Sequence, residues 1–186
     1  MIELGRNPAL IVVDFQTGFD DWVYWGGSRN NPNAENNARS ILQAWRSEFW
    51  PIFHIQHCST DPQSKLHESS PGNAFKPELL PLPGEVILKK KVNSAFIGTG
   101  LEKGLRSARI NTVVILGLTT DHCVSTTARM ASNLGFETVI IQDACATFNK
   151  IGFEGTEYPA QLIHETAIAS LNREFARVIN TSDLAL

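Results

Sequence analysis

The stretch TVVILGLTTDHCVSTTARMA, residues 112–131, decides the fold. Its first part, Thr112 to Gly117, is a β-branched apolar run too short for a helix. From Val124 onward, Thr127, Met130, Ala131 and Leu134 recur at helical spacing. A buried strand therefore passes through a short polar turn into a helix, with Cys123 at the turn. A thiol placed there faces the positive end of a helix dipole and a row of unpaired backbone N–H groups, which favour the thiolate and hold a developing oxyanion. The competing assignment is a buried structural cysteine, and this stretch alone does not separate the two.

Outward from that stretch, strands and helices alternate. Towards the N-terminus, Ala9 to Val13 (ALIVV) is a continuous apolar run ending in Asp14, the pattern of a central strand covered on both faces. Ala34 to Phe49 carries a helical stripe of Ala34, Ala38, Ile41, Leu42 and Trp45, stopped by Pro51, and a strand follows from Ile52 to Ile55. Val86 to Leu88 is a short strand running into Lys89, Lys90 and Lys91, and Thr99 to Ser107 a short helix. Towards the C-terminus come a strand at Thr138 to Ile141 ending in Asp143, a helix at Pro159 to Asn172 and a strand at Phe175 to Ile179. This order predicts an α/β fold, a three-layer α/β/α arrangement with a central, mostly parallel six-stranded sheet, in one domain spanning residues 1–186. Ligands of such sheets bind beyond the carboxyl ends of the strands, where Asp14, Lys90 and Cys123 fall on three separate strand ends. Two irregular connections border that end: Asp20 to Pro32, rich in Trp, Gly and Asn, and Cys58 to Pro83, with prolines at 62, 71, 77 and 81.

Composition narrows the function classes. Hydrophobic residues at 42% and charged residues at 19% describe a globular protein, and no apolar run approaches the ~20 residues of a membrane span. The opening MIELGRNPAL has no export pattern. A net charge of -3, with Lys89 to Lys91 as the one basic run, gives no footprint for nucleic acid. Cys58, Cys123 and Cys145 have neither CxxC nor zinc-ligand spacing, which points to a reducing compartment and hence the cytoplasm. Neither GxGxxG nor GxxxxGK[ST] occurs. The expected partner is a small-molecule substrate, with no cofactor. Trp45, Trp50 and Leu184 to Leu186 exceed what a small covered sheet needs, so a homo-oligomer is expected.

The three strand-end residues make a chemical set. A cysteine hydrolase needs a nucleophilic sulfur, a proton carrier and donors aimed at the oxyanion. Asp14 can accept the Cys123 proton and return it to a leaving amine. Lys90 holds Asp14, and its charge favours the thiolate while weakening Asp14 as a base. The oxyanion donors are the backbone N–H groups of Cys123 and Thr119. In an extended segment from Val86, Lys89 and Lys91 point one way and Lys90 the other, so only one set can face Asp14. Phe15, Gln16, Phe19, Trp22 and Trp25 are the candidate substrate contacts, with parts of the region from Cys58 to Phe96.

The segments ALIVVDFQTGF, KVNSAFIGTGL and GLTTDHCVSTTARMASNLGFETVIIQDACATF, taken in order, resemble the isochorismatase-like cysteine hydrolases, a family that includes nicotinamidases and N-carbamoyl amidohydrolases. The resemblance covers nearly the whole chain. It implies that the lysine four residues before the Ser of SAF, Lys90, is the catalytic one, and that the Leu118–Thr119 peptide is cis. The nicotinamidase branch binds a metal through an Asp-x-His pair and a further His, whereas this chain reads His54, Ile55, Gln56, His57, so no metal is expected and the two histidines are assigned to packing or hydrogen bonding. Cys123 favours C–N hydrolysis over the alternative, acid-catalysed vinyl ether cleavage by Asp14. A non-catalytic binding module would leave the triad unexplained.

Overall fold

The ALIVV run forms β1 (Ala9–Val13), buried along its whole length. The computed structural model of the chain describes residues 4–184. β1 lies between β2 (Ile52–His57) and β4 (Thr112–Leu118), and beyond β2 lies β3 (Val86–Lys90). On the other side, β4 is followed by β5 (Glu137–Ala146) and β8 (Arg177–Ile179), giving the order β3-β2-β1-β4-β5-β8. Every ladder of this six-stranded sheet is parallel. A small antiparallel pair, β6 (Lys150–Ile151) and β7 (Glu157–Tyr158), stands apart from it.

Helices cover the sheet because their apolar stripes need a partner. The short α1 (Trp22–Trp25) belongs to the irregular connection after β1. In α2 (Ala34–Ser47) the predicted stripe of Ala34, Ala38, Ile41, Leu42 and Trp45 is buried, and the helix packs over β5, β4 and β1. It ends before the predicted Phe49, whose φ of 56° breaks the helical path ahead of Pro51. α3 (Leu101–Ser107) precedes β4, and α4 (Ser125–Asn133) packs on β5 and on α5 (Ala160–Leu171). Among the described residues, no helix is long and apolar enough to cross a membrane.

Two readings change in the structure: the residues offered as grounds for a second copy, and the extent of one strand. Trp45 is wholly internal, its Nε1–H donating to the Pro8 carbonyl at 3.0 Å and its ring meeting Trp50 edge-on at 5.3 Å, so this pair packs within the protomer and offers no argument for a second copy. Leu184 is also buried, while Ala185 and Leu186 lie outside the described residues. β5 is longer than the apolar run Thr138 to Ile141: Ile115 pairs with Ile140 but Gly117 with Cys145, so β5 bulges and carries its polar residues Gln142 and Asp143 inside the strand. Asp143 has a structural use there, its Oδ1 accepting the Thr181 N–H at 2.8 Å and the Thr181 hydroxyl at 2.9 Å.

At the carboxyl ends His57 lies opposite Lys90 and Val13 opposite Gly117, with β2 and β3 running two residues beyond the end of β1. The chain leaves β1 towards β2 and β3, then crosses back to β4, so β1 and β4 flank the point at which the connections reverse. Gly117 lets those two strands close up. Its φ is +140°, and a Cβ on it would come 2.0 Å from the Val13 carbonyl oxygen. Gly117→Ala is therefore expected to destabilise the protein by about 3 kcal/mol, read from the urea midpoint at constant m, and to lower turnover by parting Asp14 from the Cys123 turn.

Candidate active site

Each side chain reaches the site by the shape of its strand end. Asp14 follows β1 with φ 52°, a left-handed conformation that aspartate tolerates and that turns its fully buried carboxylate inward. Lys90 is the last residue of β3 and is buried, whereas Lys89 points outward to pair with Glu68 at 2.9 Å and Lys91 is exposed. β3 thus continues two residues beyond Leu88, and strand alternation sorts the three lysines. Cys123 lies in a π-helical turn, Thr120–Val124, between β4 and α4, and the Leu118–Thr119 bond before it is cis.

The centre of the site is the Lys90 ammonium. It donates to Asp14 Oδ2 at 2.6 Å, to His57 Nδ1 at 2.8 Å and to Cys123 Sγ at 3.2 Å. A carboxylate oxygen of Asp14, a ring nitrogen of His57 and the Cys123 sulfur lie within 4.8 Å of one another. By residue type this is a candidate cation cluster, but the ammonium already sits among the three, and a metal ion would have to displace it. Asp14 Oδ1 is buried with no hydrogen-bond partner.

Protonation states follow from burial and from that ammonium. Burial opposes the charge on Lys90, but the Asp14 carboxylate and then Cys123 outweigh it and hold the ammonium above its ordinary pKa. Burial, then the Lys90 charge, pushes His57 down, so its ring is neutral. For Cys123 the expectation of a favoured thiolate is overturned: burial first and the Asp14 carboxylate second push the thiol well up, and Lys90 recovers only part of the shift. Cys123 therefore rests as a protonated thiol.

A cavity of about 150 Å³ opens onto Cys123. Phe19, Trp25 and Leu66 form its apolar wall, and His57, Asn93, Thr119, His122 and Lys150 its polar side. Phe19 and Trp25 brace each other with ring centroids 4.6 Å apart, and the Trp25 Nε1–H donates to the Gly18 carbonyl at 2.7 Å. The Thr119 N–H donates to no described residue, and its Oγ1 is buried without a partner. Three other candidate contacts lie elsewhere. Phe15 is buried in the core, Trp22 is largely exposed, and Gln16 is buried with its amide engaged by the backbone of His57 and Asn73. Alternation explains this, since residues adjacent in an irregular loop cannot all face one cavity. His57, His122 and Lys150 fall outside the lining expected from sequence, whereas Asn93, like Leu66, lies in the expected region from Cys58 to Phe96. Nearness to Lys90 and Cys123 was the available signal for Asn93 and His122; His57 needed the β2–β3 register, and Lys150 the course of the chain after β5.

Residues 8–183 match the family model of the isochorismatase domain. The chain belongs to the isochorismatase family. As a family member it is a hydrolase. It is 48% identical over 179 residues, 96% of this chain and 95% of the relative, to the uncharacterized isochorismatase family protein YrdC of Bacillus subtilis strain 168. The crystal structure of an isochorismatase-family protein from Chromobacterium violaceum superposes with a TM-score of 0.93 at 41% identity, covering 98% of this chain and 94% of that one. A more distant relative, 26% identical over 166 residues (76% of this chain, 73% of the relative), is the maleamate amidohydrolase of Pseudomonas putida.

The three adjacent lysines give this isochorismatase-family site an internal control. Because the Lys90 charge lowers the thiol pKa, its removal raises it. Lys90→Met is expected to abolish turnover and move the pH profile of Cys123 alkylation by iodoacetamide upward, whereas Lys89→Met and Lys91→Met leave both unchanged. Intact-mass measurement across pH reads the profile.

Proposed function

We propose that the protein hydrolyses a carbon–nitrogen bond, amide or ureido, of a small molecule through a thioester on Cys123, with Asp14 as proton carrier and Lys90 as the charge that holds both. The observation carrying this reading is the single ammonium that touches Asp14 Oδ2 at 2.6 Å and Cys123 Sγ at 3.2 Å. A relative named as an amidohydrolase supports the choice of bond.

The steps balance within these residues. As the sulfur attacks the carbonyl carbon, its proton passes to Asp14, whose Oδ1 is free to accept it. The carbonyl oxygen becomes an oxyanion facing the unengaged Thr119 N–H and the Cys123 N–H. Asp14 then protonates the nitrogen, the C–N bond breaks, and ammonia or an amine leaves a thioester. Water adds to the thioester carbon while giving a proton to Asp14. That proton returns to sulfur as the acid departs. Lys90 stays charged throughout and offsets the negative charge that moves between Asp14, sulfur and oxygen.

The three cysteines are all free and buried, which supports a cytoplasmic setting. Cys123→Ala is expected to lower turnover of the best substrate, from a panel of primary amides, ureido acids and isochorismate, by roughly 10³-fold or more with the fold intact. Retention of most activity, or a panel in which isochorismate alone is processed, would sink the thioester reading in favour of acid catalysis by Asp14.

A further inference from the structure

β2 outlasts its neighbour. Val13, the last residue of β1, pairs with Ile55, and β2 runs on through Gln56 to His57. In a parallel ladder every second residue gives both its N–H and its C=O to the same neighbouring strand. Ile55 faces β1, its carbonyl accepting the Asp14 N–H at 3.0 Å, and Cys58 faces β3, its N–H donating to the Lys90 carbonyl at 2.8 Å. His57 is therefore the next residue whose backbone turns to β1. A continued ladder would join its N–H to the Asp14 carbonyl and its C=O to the Gln16 N–H. Neither bond is made: at Asp14 the chain turns left-handed, φ 52°, and the Gln16 N–H folds back onto the Asp14 carbonyl at 2.8 Å.

The Gln16 side chain stands in for the missing stretch of β1. It is fully buried, and its amide offers an acceptor and a donor as a peptide group does. Oε1 accepts the His57 N–H at 2.8 Å, and Nε2 donates to the His57 carbonyl at 3.0 Å and to the Asn73 carbonyl at 2.8 Å. Without it the His57 N–H would be left unmet at the strand end. Lys90 makes two opposed demands here. Asp14 Oδ2 reaches the ammonium at 2.6 Å because β1 leaves the sheet, and His57 Nδ1 reaches it at 2.8 Å because β2 stays in it. We propose that Gln16 is a positioning residue that meets both demands: its side chain completes the β1–β2 ladder, lets Asp14 turn to Lys90, and holds His57 as the third acceptor that pins the ammonium against Cys123. This goes beyond the thioester reading and does not depend on which bond is cleaved, because its readouts are taken without substrate.

Three measurements test it. In the unaltered enzyme, through-hydrogen-bond NMR coupling is expected between the His57 amide nitrogen and the Gln16 side-chain carbonyl carbon; its absence overturns the proposal. Gln16→Leu keeps the bulk and loses both bonds, so the His57 ring is expected to come away from Lys90. Burial first and the Lys90 charge second hold the His57 pKa below its ordinary value, with the Asp14 carboxylate opposing them, and Cys123, His122 and Lys150 share the cavity with the ring. In the variant the NMR titration of His57 should therefore rise toward the ordinary histidine value. The Cys123 alkylation profile, read with iodoacetamide and intact mass, should move upward by about half a unit or more as the ammonium loosens. Gln16→Asn keeps an amide that falls short by one methylene, and is expected to show the same two shifts. Gln56→Leu is the control: Gln56 donates to Asn73 on the same loop, at 2.9 Å, and its loss is expected to lower stability while moving neither profile. Either profile unmoved in a folded Gln16 variant, equal shifts in Gln56→Leu, or failure of both Gln16 variants to fold would reduce Gln16 to a structural residue and overturn the proposal.

Discussion

The arrangement depends on one buried positive charge. Lys90 Nζ is closed off from water, and an ammonium in that position is tolerated only if its protons are met and its charge is balanced. Its three acceptors come from the ends of β1 and β2 and from the turn after β4, so satisfying one side chain fixes the mutual placement of four strand ends. Removing one partner of such a buried pair costs about 3–5 kcal/mol, enough to make the local register the one in which the site is assembled. Gly117 and the left-handed Asp14 are the backbone concessions that let the ends come this close.

The same charge sets the chemistry. Beside a buried carboxylate the Cys123 thiol stays protonated, so the enzyme at rest holds a salt bridge and a thiol rather than a bare thiolate. In the proposed reaction, proton transfer to Asp14 is coupled to attack on a carbonyl, when the oxyanion donors can take up the charge. A stored thiolate would be open to oxidation and alkylation, and a thiol activated on demand is protected from both.

Much of this was legible in the sequence because it depends on short-range pattern. Apolar runs bounded by breakers located the strands, and period-two alternation separated Lys90 from Lys89 and Lys91, while the choice of Lys90 came from the family resemblance of KVNSAFIGTGL. Three chemically capable residues at three strand ends pointed to one site. What escaped depends on packing at a distance. Nothing local distinguishes Gln16, which clamps the His57 backbone, from Phe19, which walls the cavity. The sequence assigns His57 to packing or hydrogen bonding, and it does hydrogen-bond; that its partner is Lys90 depends on the β2–β3 register that sets the two opposite each other. The dipole argument for a thiolate failed for a related reason. Desolvation by the surrounding core outweighs the helix terminus, and burial is a tertiary quantity.

The most direct test of this account is the pH dependence of Cys123 alkylation in Asp14→Asn, with iodoacetamide as probe and intact mass as readout. If the carboxylate keeps the thiol protonated while Lys90 favours the thiolate, removing the carboxylate leaves Lys90 unopposed. The profile should then move to lower pH by about one unit or more while turnover is lost. A profile that stays in place or moves upward, or a variant that still turns over substrate, would contradict the claim that Asp14, Lys90 and Cys123 act as one charge-balanced unit.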